Sequence, residues 1–198
     1  EMSASLVGSE MCIRDSFNKE VLQWREQRPD IIYIFSKDIL RHRRAQKEDA
    51  VWLKKGEEYK DETLSVRAFG STDVGVSFLL QAGGKKIFHA GDLNNWHWMD
   101  ESTEAEWKGA EKNFLHELDD LYAYTPEVDV AMFPVDPRLG KEYMRGAGQF
   151  VTKIKTHIFV PMHFTPEYAR ANAFRDFAEA HGVRFVSLTH RGQKIEIE

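Results

Sequence analysis

The chain has 198 residues, which is enough for one domain with a substantial hydrophobic core. Its 42% hydrophobic and 30% charged residues are typical of a globular protein, and its formal net charge of −5 argues against a broad nucleic-acid-binding surface. A single cysteine excludes an intramolecular disulfide framework, and no apolar run approaches the roughly 20 residues of a membrane helix. We therefore expect a cytoplasmic protein with neither a membrane nor a nucleic acid as its partner.

The N-terminal segment differs from the rest of the chain. Residues 1–16, EMSASLVGSEMCIRDS, show neither the alternation of a strand nor the apolar stripe of a helix. The string SLVGSEMCIRDS resembles the translation of a sequencing adapter, so we expect a non-native segment here; a disordered natural tail is the alternative. Residues 17–198 are expected to form a single domain.

The first half of that domain contains short helices followed by a hairpin. Asn18 and Ser36 are candidate caps of two short helices, and the buried strand IIYIF lies between them. A strand over 63–69 precedes the segments VGVSFLLQ and KKIFHA. The sequence Ala-Gly-Gly at 82–84 predicts that these two segments pair as a hairpin.

The second half alternates helices with strands. Apolar residues recur at helical spacing over 103–122, behind a capping box that Thr103 and Glu106 can form. The strands VDVAMFPV and HIFVP follow, with another helix between them. A Thr-Pro pair at 165–166 and Gly182 are expected to bound a final helix, before a terminal hairpin of VRFVSL and QKIEIE. This order predicts the α/β class.

Three predicted strands end in residues that can bind a metal. His89 and Asp92 follow one strand, Asp136 follows another, and His163 follows a third. Loops at one edge of the sheet commonly hold the functional site of an α/β protein, and carboxylate and imidazole groups are ordinary zinc ligands. Taken alone, each aspartate can instead be a turn former, and each histidine a hydrogen-bonded structural residue.

The order of these segments resembles that of the metallo-β-lactamase-fold hydrolases, and most closely the branch around the ascorbate-6-phosphate lactonase. The similarity is strongest in GSTDVGVSFLLQAGGKKIFHAGDLNNWHW and GAGQFVTKIKTHIFVPMHF. The resemblance implies an αββα sandwich that holds one or two Zn²⁺ ions, with Mn²⁺ or Fe²⁺ as alternatives. It also implies that Asp92 and His163 are metal ligands. Asp92 would then act through a metal-bound water that attacks an ester, lactone, amide or phosphoester of a small-molecule substrate.

Two segments depart from the pattern of that family. Its first metal motif, H-x-H-x-D-H, should precede the helix that begins FNKEVLQW, where this chain has CIRDS with Asp15 in the place of the motif's aspartate. We therefore expect a partial sandwich that lacks its N-terminal strands. Before VGVSFLL, where many relatives have a histidine, this chain has Asp73, which is either a support for the metal site or a turn former.

The loop after Asp92 supplies the candidate substrate-binding residues Asn94, Trp96 and His97; a packed structural loop is the alternative. Two other functions stay open, which are a nuclease of the same fold and a non-catalytic interaction or regulatory domain. The sequence also leaves a homo-oligomer open. The residues that we expect to support the metal ligands from behind are His89, Asp73 and Asp136.

Overall fold

The computed structural model describes residues 19–43, 45–164 and 166–195. Its strands are β1 (Ile34–Ser36), β2 (Val51–Leu53), β3 (Glu58–Lys60), β4 (Leu64–Phe69), β5 (Ser77–Ala82), β6 (Lys85–His89), β7 (Glu127–Pro134), β8 (Lys155–Met162) and β9 (Arg184–Phe185). Its helices are α1 (Trp24–Gln27), α2 (Lys37–Arg41), α3 (Glu104–Tyr124), α4 (Arg145–Lys153), α5 (Tyr168–Asn172) and α6 (Arg175–Ala180), with 3₁₀ turns at Lys19–Gln23, Lys47–Asp49 and Pro137–Leu139. None of the helices in the described ranges has the length and apolar character needed to span a membrane.

A mixed sheet, with strand order β3-β4-β5-β6-β7-β8-β9, positions the candidate site. The strands from β3 to β6 pair antiparallel, and those from β6 to β9 pair parallel. The register pairs His89 with Met132 and Pro134 with Met162, so that β6, β7 and β8 all point toward the same edge. The residues that follow these strands are therefore brought together at that edge.

Helices α3 and α4 cover one face of this sheet. The predicted capping box is confirmed, because Thr103 accepts from the Glu106 N–H while the Glu106 carboxylate accepts from the Thr103 N–H. Phe133 of β7 lies beneath the helices, and its ring centroid is 4.6 Å from that of Phe150 and 6.1 Å from that of Phe114. Aromatic rings in edge-on and tilted contact thus form the centre of the core.

Two smaller apolar clusters lie on the opposite face. In the first, β1 and β2 contribute to a cluster with β4 and β5 that includes Leu53, Val66 and Leu80. In the second, Val186 and Leu188 pack against β7 and β8. Both faces of the sheet are therefore apolar, as expected for strands buried between layers.

The final helix is divided where the sequence predicts one continuous element. Phe174, between α5 and α6, is fully buried, and its ring centroid lies 5.0 Å from that of Phe159. Its N–H donates to the carbonyl of Ala171, three residues earlier, so the chain tightens into a turn at this point. Gly182 follows α6 with a φ of 75°, which agrees with the predicted end of the segment. Thr165 lies outside the described residues.

The predicted terminal hairpin is wrong for the part of VRFVSL and QKIEIE that the structure describes. Within that part, Arg184–Phe185 pairs as a strand, and it pairs with β8. Beyond it, the Asn172 side chain donates to the Leu188 carbonyl and accepts from the Leu188 N–H, while Gln193 donates to the Ser187 carbonyl. These side chains satisfy backbone groups that a strand ladder would otherwise use.

Truncation of Phe133 tests the position of the core. Phe133 has no exposed surface, so Phe133→Ala should leave a cavity and lower the free energy of unfolding by about 3–5 kcal/mol. Phe177→Ala is the matched control, because Phe177 is 42% exposed and its loss should cost about 1 kcal/mol or less. Urea denaturation measures both values, and equal losses would contradict this assignment of the core.

Candidate metal centre

A sharp turn after β6 brings Asp92 to the edge of the sheet. Gly91 in this turn has a φ of 57°, and a Cβ at this position would lie 2.9 Å from the carbonyl oxygen of Val76. Glycine meets both conditions because it has no Cβ. The turn therefore depends on Gly91.

Asp92 and His163 meet at this edge although 71 residues separate them in the sequence. The Nε2 atom of His163 lies 2.9 Å from Oδ1 of Asp92, and the two side chains are 7% and 14% exposed. His163 follows β8 with a φ of 63°, an unfavourable conformation for a residue other than glycine that costs on the order of 1 kcal/mol or more. The structure thus brings the two predicted ligands together, and their role as ligands stays a prediction.

Asp136 faces the other nitrogen of the His163 ring. Its Oδ2 atom lies 3.6 Å from Nδ1 of His163, and the residue has no exposed surface. The Nε atom of Arg138 lies 2.9 Å and 3.0 Å from the two carboxylate oxygens, and the Arg138 N–H donates to Oδ1 at 3.0 Å. The imidazole is therefore placed between two carboxylates, with a close contact to Asp92 and a longer ion-pair contact to Asp136.

These contacts determine the charges of the buried groups. Burial on its own raises the pKa of Asp136, but the hydrogen bonds from Arg138 and the nearby His163 ring outweigh it and lower this pKa to about 2. Burial on its own lowers the pKa of His163, whereas Asp136 and Asp92 together raise it to about 9. At neutral pH the ring is then a cation between two carboxylates.

Two further predicted residues lie beside the pair. Burial and the charge of Asp92 raise the pKa of Asp73. Burial, followed by the charge of His163, lowers the pKa of His89 to about 4, so the His89 ring is neutral at physiological pH. His89 Nδ1 accepts a hydrogen bond of 3.1 Å from the Gly91 N–H. Both residues therefore interact electrostatically with the pair.

The donor chemistry fits zinc, but the number of donors in the described residues does not complete a zinc centre. Carboxylate oxygen and imidazole nitrogen are zinc ligands, and catalytic sites usually take three of them from the protein. Within the described ranges, no group of three or more His, Cys, Asp or Glu side chains is arranged to hold an ion. Asp15 lies outside these ranges. The described part of the site therefore contributes two close donors, Asp92 and His163.

The loop after Asp92 is packed rather than open. His97 is 1% exposed, whereas a residue that binds substrate in a cleft needs an accessible side chain. Its Nδ1 atom accepts from the Met99 N–H, and its Nε2 atom lies 3.1 Å from the Glu142 carbonyl oxygen, so both ring nitrogens bond to backbone groups. These bonds hold the loop against the segment before α4.

Asn94 is also buried, and its side chain faces α4. A Cβ added at Gly146 of α4 would lie 2.0 Å from Oδ1 of Asn94, which shows how closely the two residues approach. The Thr72 hydroxyl donates to the Asn94 carbonyl at 2.6 Å and accepts from the Asn94 N–H at 3.0 Å. Asn94 thus has structural contacts, and its predicted place in a substrate-binding wall does not match its burial.

Trp96 contacts the candidate centre directly. Its indole N–H donates to the Asp92 carbonyl at 2.8 Å, and its ring lies edge-on to the His163 ring with a centroid distance of 5.6 Å. The side chain is partly exposed. Trp96 therefore packs beside both predicted ligands, while its role toward a substrate stays a prediction.

A partly buried polar network that the sequence did not reveal connects this loop to α3 and α4. Oε1 of Glu111 accepts from Arg145 at 2.7 Å, from Gln149 at 2.5 Å and from Asn95 at 3.3 Å. The hydrogen bond from Arg145 is the largest of the effects that lower the pKa of Glu111. This carboxylate joins three segments that are distant in the sequence.

Replacement of His97 tests whether the loop is packed. His97→Ala leaves the Met99 N–H and the Glu142 carbonyl without their partner, so we expect it to lower the free energy of unfolding by about 2 kcal/mol. His181→Ala, at an exposed position, is the control and should cost less than about 1 kcal/mol. Chemical denaturation gives both values. Unchanged stability in His97→Ala would contradict the packed loop.

The buried Asp136 carboxylate predicts a specific pH dependence of stability. Its pKa is depressed from 3.8 to about 2, so its ionised form stabilises the fold above pH 3.8, and this contribution is lost as the pH falls through 2. Asp136→Asn should therefore cost on the order of 2 kcal/mol at pH 7, and the cost should shrink between pH 4 and pH 2. Denaturation of both proteins across this range measures the difference. A cost that does not change with pH would contradict the Asp136–Arg138 interaction.

Neither a family model nor a curated protein sequence matches the chain, whereas solved structures with a similar fold exist. A candidate metal-dependent hydrolase from Parabacteroides distasonis has a TM-score of 0.61 at 14% identity, with 90% of this chain and 73% of that chain covered. Igni18, a metallo hydrolase from the archaeon Ignicoccus hospitalis, has a TM-score of 0.57 at 13% identity over 92% of this chain and 74% of its own. The metallo-β-lactamase-fold protein YhfI from Bacillus subtilis has a TM-score of 0.51 at 8% identity over 85% and 68%. The predicted α/β class is confirmed, and the chain has the metallo-β-lactamase fold.

Proposed function

We propose that this chain carries part of the metal centre of a metal-dependent hydrolase, with Asp92 and His163 as two of the ligands. The observation that carries the proposal is the 2.9 Å contact between the buried His163 and the partly buried Asp92 at the edge where β6, β7 and β8 end. The similar folds of two proteins described as metal hydrolases support it. We propose zinc as the metal, since its preferred ligands include both side chains, with Mn²⁺ or Fe²⁺ as alternatives.

Each side chain near the centre has a distinct task in this proposal. When bound, a divalent ion would supply the Lewis-acid chemistry used to hydrolyse an ester, lactone, amide or phosphoester of a small molecule. Asp92 and His163 hold the ion, and Asp136 with Arg138 keeps the His163 ring in place from behind. Trp96 fixes the backbone of Asp92 and covers one side of the imidazole.

The two close donors in the described residues set the zinc affinity that we expect. When two protein groups hold zinc, water must fill the rest of its coordination sphere, and protein ligands contribute most of the affinity of a zinc site. We therefore expect weak, reversible binding and no measurable hydrolase activity from this chain.

Zinc titration of purified protein tests the ligand assignment. The unmodified chain should bind zinc weakly by calorimetry and retain less than one zinc per chain after dialysis. Asp92→Asn and His163→Gln should each weaken binding at least tenfold, because each removes one of two donors. His157→Gln, at an exposed position on β8, is the control and should bind zinc as the unmodified chain does.

The zinc titration distinguishes an error in the number of donors from an error in the position of the metal. One or more zinc ions held through dialysis would mean that the two-donor argument is wrong. Unchanged affinity in Asp92→Asn and His163→Gln would mean that the metal lies elsewhere.

A non-catalytic interaction or regulatory domain of the same fold is the second candidate function. The number of donors in the described residues favours it, because a catalytic zinc site usually takes three protein ligands. Assays of ester, lactone, amide and phosphoester hydrolysis with added Zn²⁺, Mn²⁺ or Fe²⁺ separate the two candidates. Metal-dependent turnover that Asp92→Asn abolishes supports the hydrolase, and binding without turnover supports the non-catalytic domain.

A further inference from the structure

His89 carries a hydrogen-bond donor that no described group accepts. The Gly91 N–H donates to Nδ1 of His89, so Nδ1 carries the lone pair and the proton of the neutral ring must be on Nε2. The residue is 8% exposed, and its Nε2 atom is buried without a hydrogen-bond partner among the described residues. Leaving a buried donor unpaired lowers the stability of the fold, so native proteins rarely do so without a reason.

The ring of His97 makes the same Nδ1 hydrogen bond as that of His89, but its Nε2–H group has an acceptor. Its Nδ1 also accepts from the N–H two residues further along the chain, that of Met99, so its proton is likewise on Nε2. There, however, Nε2 lies 3.1 Å from the carbonyl oxygen of Glu142, which accepts the hydrogen bond. The two histidines therefore share one tautomer and differ in whether the Nε2–H has an acceptor.

The His89 ring lies beside the turn that leads to Asp92, since its Nδ1 atom is 3.1 Å from the backbone nitrogen of Gly91, the residue before Asp92. His89 is the last residue of β6, and its neighbours Phe88 and Ala90 belong to the core beneath α3 and α4, so its side chain faces the opposite side of the sheet. The charges of His163 and Asp92 both act on its ring. In this tautomer Nε2 has no free lone pair, so His89 can donate to a bound molecule but cannot ligate the ion through Nε2.

We propose that His89 Nε2–H donates a hydrogen bond to an oxyanion group of the substrate, such as a phosphate or carboxylate, bound at the Asp92–His163 site. The donor suits an anionic oxygen because hydrogen bonds to charged acceptors are the stronger ones. The formal charges of Asp92 and Asp136 are balanced by those of His163 and Arg138. Asp73 is then the remaining acidic group whose negative charge would repel a bound oxyanion. The inference rests on the proposed function in taking this edge of the sheet as the substrate site.

Nitrogen-15 NMR of the full chain tests the proposal at the atom concerned. We expect the His89 ring in the Nε2-protonated tautomer, and we expect its Nε2–H signal to shift saturably when inorganic phosphate or acetate is added, with or without zinc. The His97 ring is the internal control and should not respond, because its donor is already paired. The two anions, titrated separately, distinguish a phosphate from a carboxylate as the preferred group. A ring protonated on Nδ1, or a His89 signal that neither anion shifts, would overturn the proposal.

Two substitutions at the same position separate donation from packing. His89→Phe removes the donor and should weaken binding of the shifting anion about tenfold, whereas His89→Gln keeps an N–H and should stay within about threefold. Both variants should bind zinc as the unmodified chain does. Equal anion affinity in His89→Phe, or a parallel loss of zinc affinity, would overturn the proposal; if His89→Phe does not fold, the NMR titration decides.

The same measurements distinguish this inference from the proposed function. A His89 shift with phosphate or acetate in a chain that binds no zinc would support the inference and contradict the metal centre. Zinc binding that depends on Asp92, together with a His89 signal that neither anion shifts, would support the metal centre and contradict the inference about His89.

Discussion

The parallel pairing of β6, β7 and β8 is the constraint on which the candidate site depends. Because these strands run in one direction and in fixed register, the segments that follow them leave the sheet at one edge. That edge brings together Asp92, Asp136 and His163. A shift of the register by one residue would turn each side chain to the other face of the sheet and separate the groups. The core beneath α3 and α4 therefore also maintains the distances within the site.

Rigid contacts around the edge preserve this arrangement. Gly91 turns the chain against the Val76 carbonyl, and His163 and Trp98 both have positive φ values, at 63° and 42°. Such conformations persist where surrounding contacts determine them, and they are common at functional sites. The Glu111 network and the His97 ring hold the loop that contains Trp98 against α3 and the segment around α4. The neighbourhood of the candidate ligands is thus fixed by contacts from several elements.

The sequence predicted the parts of the structure that depend on local patterns. The strands predicted over 63–69 and in KKIFHA match β4 and β6 to within one residue at each end, and the capping box at Thr103 was recognised from its spacing. The convergence of Asp92 with His163 could also be anticipated, because both residues follow strands of the predicted sheet. In each case the deciding information lies within a few residues or in the order of the elements.

The errors arose where a side chain bonds to a distant part of the chain. His97 is buried because it bonds to the Glu142 backbone 45 residues away, and no local pattern marks that contact. In the described part of the C-terminal segments, the predicted hairpin is absent where the Asn172 side chain bonds to both backbone groups of Leu188. The sequence does contain an indication of the Glu111 network. Glu111 lies three residues before Phe114, on the helical face of α3 whose later residues are buried. A carboxylate in that position requires partners, although the sequence does not identify them.

Because 71 residues separate Asp92 from His163 in the sequence, a group that binds between them affects the stability of the native state. The unfolded chain does not hold the two side chains together, so an ion that binds between them binds the native state, and an ion at 100 times its Kd stabilises that state by about 2.7 kcal/mol. The proton on His163 already joins the ends of β6 and β8 in this way. Because its pKa is raised from 6.5 to about 9, the proton's contribution is complete below pH 6.5 and is lost as the pH rises through 9. The proton and the metal ion that we propose would therefore compete to cross-link the same two strands.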